Sequence, residues 1–392
     1  MKTLCLGGAG KICRESVYDI VQYSDYDKIT IADVNEEAGL EVVAWLDDPR
    51  VDFIKADVYD REKTVNLMKK YDIVLDGTTI SMNDHTTSLI FESGVHGINL
   101  NGCSSEWDFD KRFKEIGKTF VPGVGMTPGI TNLMTKYAAD RLDTVDTIRI
   151  SHGAFRPIAF SPSIAETTRI EYDPNLETRL VYEDGKLVQV PPFARPRDIE
   201  LPEPFGTLPQ YIIPHAETLT LGKSLADKNI RLIEVRGTWP PKNMRLIREL
   251  YDWGFLRNDK VRIGDSEVGV LDVISSYLIQ SEEGQKTDLY GYALHVEVTG
   301  IKEERLVQYI LTHTHPKSDG SVEGWEELRA YTRCVGIPMG IGAQMISKGL
   351  VKGTGVIAPE LAFSPEEMFA ELEKRDIFVH KQVNVLTEKG KT

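Results

Sequence analysis

Cysteine is scarce in this chain: there are four in 392 residues. Cys5, Cys13, Cys103 and Cys334 form no CxxC pair and match neither a disulfide framework nor a zinc-ligand spacing, so reduced thiols and no metal site are expected. Long apolar runs are missing too. No stretch approaches the roughly 20 consecutive apolar residues of a membrane-spanning helix. The opening Met-Lys-Thr-Leu-Cys-Leu runs into a strand-like pattern without a signal-peptide signature, so a cytoplasmic protein is expected. Positive charge is in deficit, with 46 Lys and Arg against 60 Asp and Glu, a formal net charge of −14. That balance argues against nucleic acid and anionic membranes as partners and suits a small substrate, a cationic one included. Internal repeats and low-complexity segments are absent as well.

What is present is a globular chain, 41% hydrophobic and long enough for two cores. Up to about residue 122, short strand-like blocks alternate with longer helical ones. Strands are read at residues 2–6, 28–32, 51–55, 73–76, 97–101 and 119–121, with helices near 11–23, 36–45, 61–70, 85–93 and 108–117. This is the pattern of a Rossmann-type doubly wound parallel sheet, assigned to residues 1–129. Beyond it, alternating segments at 147–152, 179–182, 187–190, 230–236, 292–300 and 305–312 predict a second α+β domain, residues 130–334, with a mostly antiparallel sheet. Glu183-Asp-Gly-Lys186 reads as a hairpin turn, and residues 190–209, rich in proline and charge, as an irregular excursion. Residues 335–392, with a capped helix after Ser364 and a strand at 377–380, are expected to return to the first domain.

The first strand and helix are joined by Gly8-Ala9-Gly10-Lys11-Ile12-Cys13, which puts Gly-x-Gly-x-x-Cys where backbone amides and a helix N-terminus can hold a pyrophosphate. Cys13 stands where the dinucleotide fingerprint wants Gly or Ala. Asp33 closes the second strand about twenty residues on, where a carboxylate accepts ribose hydroxyls and repels a 2′-phosphate, so NAD is favoured over NADP. Asp57, after the third strand, could reach the adenine or cap the next helix. Thr78 and Thr79, after Asp76 at the end of the fourth strand, lie at the carboxyl edge where open sheets bind ligands. Cys103 lies at that edge too, read as a small packed residue without a histidine partner.

Together, the glycine turn, Asp33, Asn99-Leu-Asn-Gly-Cys103 and above all Pro122-Gly-Val-Gly-Met-Thr-Pro-Gly-Ile-Thr-Asn132 resemble the saccharopine dehydrogenase family over nearly the whole chain. Tyr182–Pro192, the His215-Ala-Glu-Thr218 segment and Gly355–Glu360 look like its lysine 6-dehydrogenase and saccharopine reductase branches. The resemblance implies hydride transfer between a nicotinamide and a carbon–nitrogen bond of an amino acid or opine-type conjugate. It also implies a second domain used for substrate binding and for dimer formation, so a homodimer or higher homo-oligomer is expected. A carboxynorspermidine-type dehydrogenase of polyamine synthesis and a non-catalytic NAD-sensing protein are the alternatives.

Oxidising an amine to an imine needs a proton acceptor beside the reacting carbon. His215 is the first candidate, with Glu217 two residues on and on the same side if the segment is extended; His152 is the second. Gly125, Met126 and Pro128 in the loop after the sixth strand are expected against the nicotinamide, with Thr127 toward substrate. Arg169 or Arg236 could fork onto a substrate carboxylate. His313-Thr-His315 puts two imidazoles on one strand face without further ligands of matching spacing, so no metal is assigned there.

Overall fold

A computed structural model describes residues 1–103, 105–257 and 259–387, with the side chain of Arg169 excepted. The chain divides into two compact units, Met1–Tyr137 with Thr332–Arg375, and Ala138–Tyr331 with the segment from Asp376 on.

The first unit is built on a seven-stranded parallel sheet. Its strands in chain order are β1 (Lys2–Leu6), β2 (Lys28–Asp33), β3 (Val51–Lys55), β4 (Ile73–Asp76), β5 (His96–Asn99) and β6 (Thr119–Val121), and the short strand Gly355–Val356 adds to β6. The spatial order runs Gly355–Val356, β6, β5, β4, β1, β2, β3. The chain therefore winds outward from β1 through β3, then restarts on the other side of β1 with β4. A parallel strand covered on both faces needs apolar side chains on both, and β4, Ile-Val-Leu-Asp, is buried at every position. Leu4, Leu6, Val74, Leu89 and Phe120 meet in the core on one side of this sheet.

Crossover helices pack around the sheet. The helices Glu36–Leu46 and Arg61–Met68 are capped by side chains, Asn35 accepting from the Ala38 amide and Asp60 from Lys63. Helix α1 (Cys13–Tyr23) has Ile12 at its N-cap and no side-chain cap; the turn itself takes the Arg14 and Glu15 amides, through Gly10 O at 2.9 Å and Ile12 O at 3.0 Å. The returning segment Thr332–Arg375 is tied in by a buried ion cluster: Arg375 Nη2 donates to Asp19 on α1 at 3.2 Å, its Nε to the same carboxylate, and its Nη1 to Glu371 at 2.7 Å.

The second unit holds a nine-stranded, mostly antiparallel sheet. Its main path runs Arg197–Leu201, Gly206–Ile212, Leu232–Thr238, Thr144–Phe155, Gly291–Lys302, Arg305–Thr314, Phe378–Val385. Among the described residues of this unit, only Leu232–Thr238 and Thr144–Phe155 pair in parallel. The expected hairpin is present: Leu180–Glu183 and Lys186–Gln189 are joined by Asp184 (φ 46°) and Gly185 (φ 83°), the two left-handed residues of a type I′ turn.

Three expectations change here. The excursion at 190–209 contains a strand and the start of its partner, Arg197–Leu201 against Gly206–Ile212, and its prolines fall between the strands or near the end of that path, where a missing N–H is tolerated. Residues 216–224 are helical, Ala216–Ser224. The tail leaves the first unit after Arg375, and Phe378–Val385 pairs with Arg305–Thr314 in the second.

Candidate functional site

In the first unit, the loops leaving β1 and β4 meet at the point where the winding reverses. Gly7 has φ +64°, and a Cβ on it would lie 2.8 Å from the carbonyl oxygen of Gly77, so the close approach demands glycine. The Gly7 amide donates to Ala32 O at 2.8 Å and the Gly10 amide to Gly7 O at 2.9 Å, which closes the turn in front of α1. Cys13 is buried, its thiol 3.8 Å from Leu6 O. The departure from the fingerprint is offset across the sheet. A Cβ on Gly77 would meet Cys13 Cβ and Sγ at 2.5 Å, so the glycine that lets helix and strand approach has moved to the loop after β4. Burial, with the charges of Asp76 and Asp33 nearby, pushes the Cys13 thiol far above its ordinary value.

Asp33 ends β2 half-buried, with Oδ2 accepting from the Ala9 amide at 3.3 Å and Oδ1 from Asn35 at 3.0 Å. It is thus bonded to the loop that carries Gly8 and Gly10. Lys11 is exposed and Ile12 half-buried at the helix entrance. Asp57 is exposed and accepts from the Tyr59 amide at 2.9 Å; the cap of the following helix is Asp60. Thr78 and Thr79 are half-buried beyond β4, and Cys103 is exposed.

Two polar residues at the strand ends hold these loops, and neither was picked out as a loop holder from sequence. Asp76, wholly buried, accepts from the Thr78 amide (3.0 Å), Thr78 Oγ1 (2.6 Å), Asn83 Nδ2 (3.1 Å) and Thr86 Oγ1. Burial raises its pKa against the pull of those donors. At β5, Asn99 Oδ1 accepts from the amides of Asn101 and Gly123, both at 3.1 Å, while Nδ2 donates to buried Glu106 at 3.2 Å. Glu106 also takes Asn101 Nδ2 and the Gly102 amide. The loop 123–129 folds on itself, Gly125 N to Pro128 O at 2.8 Å, and Gly129 N reaches Asn132 Oδ1 at 2.9 Å. Within it Gly125, Met126 and Pro128 are buried, and Thr127 Oγ1 is buried with no hydrogen-bond partner among the described residues.

In the second unit, His215 and Glu217 meet, Nδ1 to Oε2 at 3.2 Å, through the start of a helix and not along an extended segment. His215 is the N-cap residue of Ala216–Ser224, and Glu217 sits in the helix's first turn, where a carboxylate suits the amide end. Burial, the largest influence, pulls the His215 pKa down. The charge and hydrogen bond of Glu217, with Glu171 behind, outweigh it and raise the value above the ordinary one. His152, near the end of Thr144–Phe155, lies with its ring centroid 5.4 Å from that of His215 and 5.6 Å from Tyr292. A Cβ on Gly237 would stand 2.8 Å from His152 Nε2, so glycine at 237 is what admits the ring. Burial, then the charges of His215 and Arg156, hold the His152 pKa far below the ordinary imidazole value. Its Nδ1 is buried without a partner among the described residues. The arrangement offers a charge-stabilised imidazole beside a neutral one.

Arg236 is engaged. Its guanidinium forks onto Glu234 at 2.7 and 3.1 Å, and Nε donates to Arg195 O. Arg169 lies on the helix Pro162–Tyr172, and its side chain is outside the described residues. Of the two strand histidines, His313 Nδ1 takes the Leu294 amide at 3.1 Å; His315 Nε2 takes the Tyr292 amide at 3.1 Å and its Nδ1 faces Pro316 O at 2.7 Å.

Comparison with known proteins places these features in context. Residues 3–121 match the saccharopine dehydrogenase NADP binding domain, and residues 125–377 the saccharopine dehydrogenase C-terminal domain. Among curated proteins, the chain is 22% identical to the carboxyaminopropylagmatine dehydrogenase of a Synechocystis species across 98% of both chains. It is 27% identical to the carboxynorspermidine synthase of Vibrio cholerae over 32% of this chain and 30% of that one. Among solved structures, apo saccharopine dehydrogenase (L-Glu forming) of Saccharomyces cerevisiae shares the fold, with a TM-score of 0.71 at 14% identity over 98% of this chain and 100% of that one.

Proposed function

The chain belongs to the saccharopine dehydrogenase family of oxidoreductases, and from that premise we propose that it moves a hydride between NAD and the CH–NH bond linking an amino-acid unit to an amine. The observation that carries the proposal is the buried His215–Glu217 pair beside neutral His152. As hydride leaves the substrate carbon for the nicotinamide, the nitrogen loses a proton. An imidazole backed by a carboxylate accepts it and is stabilised as it becomes charged. The cofactor is assigned to the first unit, with the glycine turn and the positive end of α1 at the pyrophosphate and Asp33 on the adenosine ribose. The matched family description names NADP, whereas a carboxylate at the end of β2 repels a 2′-phosphate, and we take NAD as the working cofactor. The cofactor supplies the hydride acceptor; the residues supply binding, orientation and the proton site.

Two substrate classes fit this chemistry. The full-length likeness to a carboxyaminopropylagmatine dehydrogenase favours conjugates of an amino acid with a polyamine precursor, and the net charge of −14 suits a cationic substrate. Lysine or saccharopine is the second reading, supported by the family alone. Purified protein is assayed with NADH and aspartate semialdehyde against a series of diamines, and with NAD and lysine or saccharopine. Loss of NADH that needs both the semialdehyde and a diamine supports the first. Reduction of NAD by lysine or saccharopine supports the second. No turnover anywhere, with equal affinity for NAD and NADH and a partner retained in a pull-down, would replace both with an NAD sensor.

A further inference from the structure

Arg156 is 2% exposed, at the foot of the strand that carries His152. A guanidinium is seldom buried without a carboxylate beside it. Yet Arg156 donates only to the carbonyls of Pro157 (3.1 Å) and Ile158 (3.4 Å) and to Thr168 Oγ1 (3.5 Å). Its Nε is buried with no acceptor among the described residues, and its Cζ lies 5.4 Å from the Trp239 ring centroid and 5.7 Å from that of Tyr331. Aromatic faces steady a cation without neutralising it. Glu171 mirrors it. It is 8% exposed, one helical turn beyond Thr168 on Pro162–Tyr172, and its carboxylate receives no hydrogen bond among the described residues. Burial raises its pKa, while the charges of His215, Arg156 and Arg179 oppose that rise. Arg179 is occupied differently, donating to the backbone carbonyls of Glu171 (2.8 Å) and Asp173 (3.0 Å) at the end of that helix.

The second unit therefore buries two opposite charges near His215, neither in an ion pair among the described residues. We infer that Arg156 and Glu171 are the two poles of a subsite for an α-amino-acid zwitterion, the guanidinium taking the α-carboxylate and the carboxylate taking the α-ammonium. A zwitterion supplies both missing partners at once and leaves the local charge unchanged. The inference deepens the proposed reaction: it assigns the amino-acid end of the conjugate to the neighbourhood of the proton acceptor. It also transfers to Arg156 the role that Arg236, committed to Glu234, does not have free.

The test is calorimetric binding to the full chain, in excess NADH, of L-2,4-diaminobutyrate, its carboxamide and its Nα-acetyl derivative. Wild type should prefer the parent amino acid over each blocked form by roughly ten- to a hundredfold, the range of a charged hydrogen bond. Arg156→Met should abolish the preference over the carboxamide alone, and Glu171→Gln the preference over the acetyl form alone. Arg156→Lys should keep part of the first. A residue of merely structural role behaves otherwise. Removing a buried cation that has no protein counter-ion should leave the melting temperature of Arg156→Met unchanged or raised. A lowered melting temperature with all three probes weakened alike overturns the subsite, as does a wild type that does not distinguish the probes. Zwitterion binding that depends on Arg156 in a protein without redox turnover would support the subsite while removing the dehydrogenase reading. Full turnover of a conjugate by Arg156→Met would do the reverse.

Discussion

Buried charged groups are managed differently in the two units. In the first, the buried carboxylates Asp76, Glu106 and Asp19 are closed off by the protein. Asp76 collects four donors, Glu106 three from the loop it holds, and Asp19 shares Arg375 with Glu371. In the second, His152 Nδ1, Arg156 Nε and the Glu171 carboxylate have no hydrogen-bond partner among the described residues. A satisfied network makes a rigid frame, and half-satisfied groups are a liability unless something else completes them. In the proposed reaction the first unit would present a finished backbone surface to the cofactor, and the second would keep charges and a neutral imidazole available for chemistry.

If that contrast holds, substitutions of the incompletely bonded groups in the second unit should damage turnover while sparing the fold, and those in the buried ion network of the first should do the reverse. The largest effect is expected for His215→Ala, a fall in kcat of roughly 10²- to 10⁴-fold with NADH affinity within about twofold, read by steady-state kinetics and cofactor titration. Full activity would remove His215 from the chemistry. Next, Arg375→Ala should strip buried Asp19 of its cation and destabilise the first unit by about 3–5 kcal/mol, seen in thermal and urea unfolding. A change below about 1 kcal/mol would show that the cluster contributes little. Asp33→Ser should shift the NAD/NADP preference about tenfold toward NADP, measured as a ratio of kcat/KM values; an unchanged ratio would mean Asp33 does not contact the ribose. The smallest effect sharpens the comparison by pH. Because Glu217 raises the His215 pKa, amine oxidation should rise with pH as His215 loses its proton. Glu217→Gln should move that limb to lower pH. A limb that stays in place assigns it to another group.

The same titrations bear on stability. His152 and His313 are held far below the ordinary imidazole value by burial, so the unfolded chain binds the extra protons first. Stability should therefore be full above about pH 6.5 and decline as pH falls from there toward the folded-state values. His152→Asn should flatten that decline in pH-dependent melting.

The parallel unit was legible because its signals are local. Strand, turn and helix follow one another within about thirty residues, and Asp33 lies at the distance that one helix and one strand dictate. In the antiparallel unit the strands could be read from alternation, but Gly206–Ile212 was hidden by Pro209, and the helix after His215 carries no pattern that set it apart from an extended segment. His215 and Glu217 still meet, because two residues on from an N-cap is also within reach. Burial of charge has no signature in sequence, so Arg156 and Glu171 went unseen. The engagement of Arg236 could have been anticipated: Glu234 and Arg236 alternate on one strand and must share a face.

The exchange between positions 13 and 77 has a further consequence for how such turns diverge. A thiol and a missing side chain, sixty-four places apart in the chain, act as tooth and notch, and either one altered alone leaves a clash or a hollow. A side chain at 77 beside Cys13 would have to displace the thiol, so the size of one residue limits the size of the other.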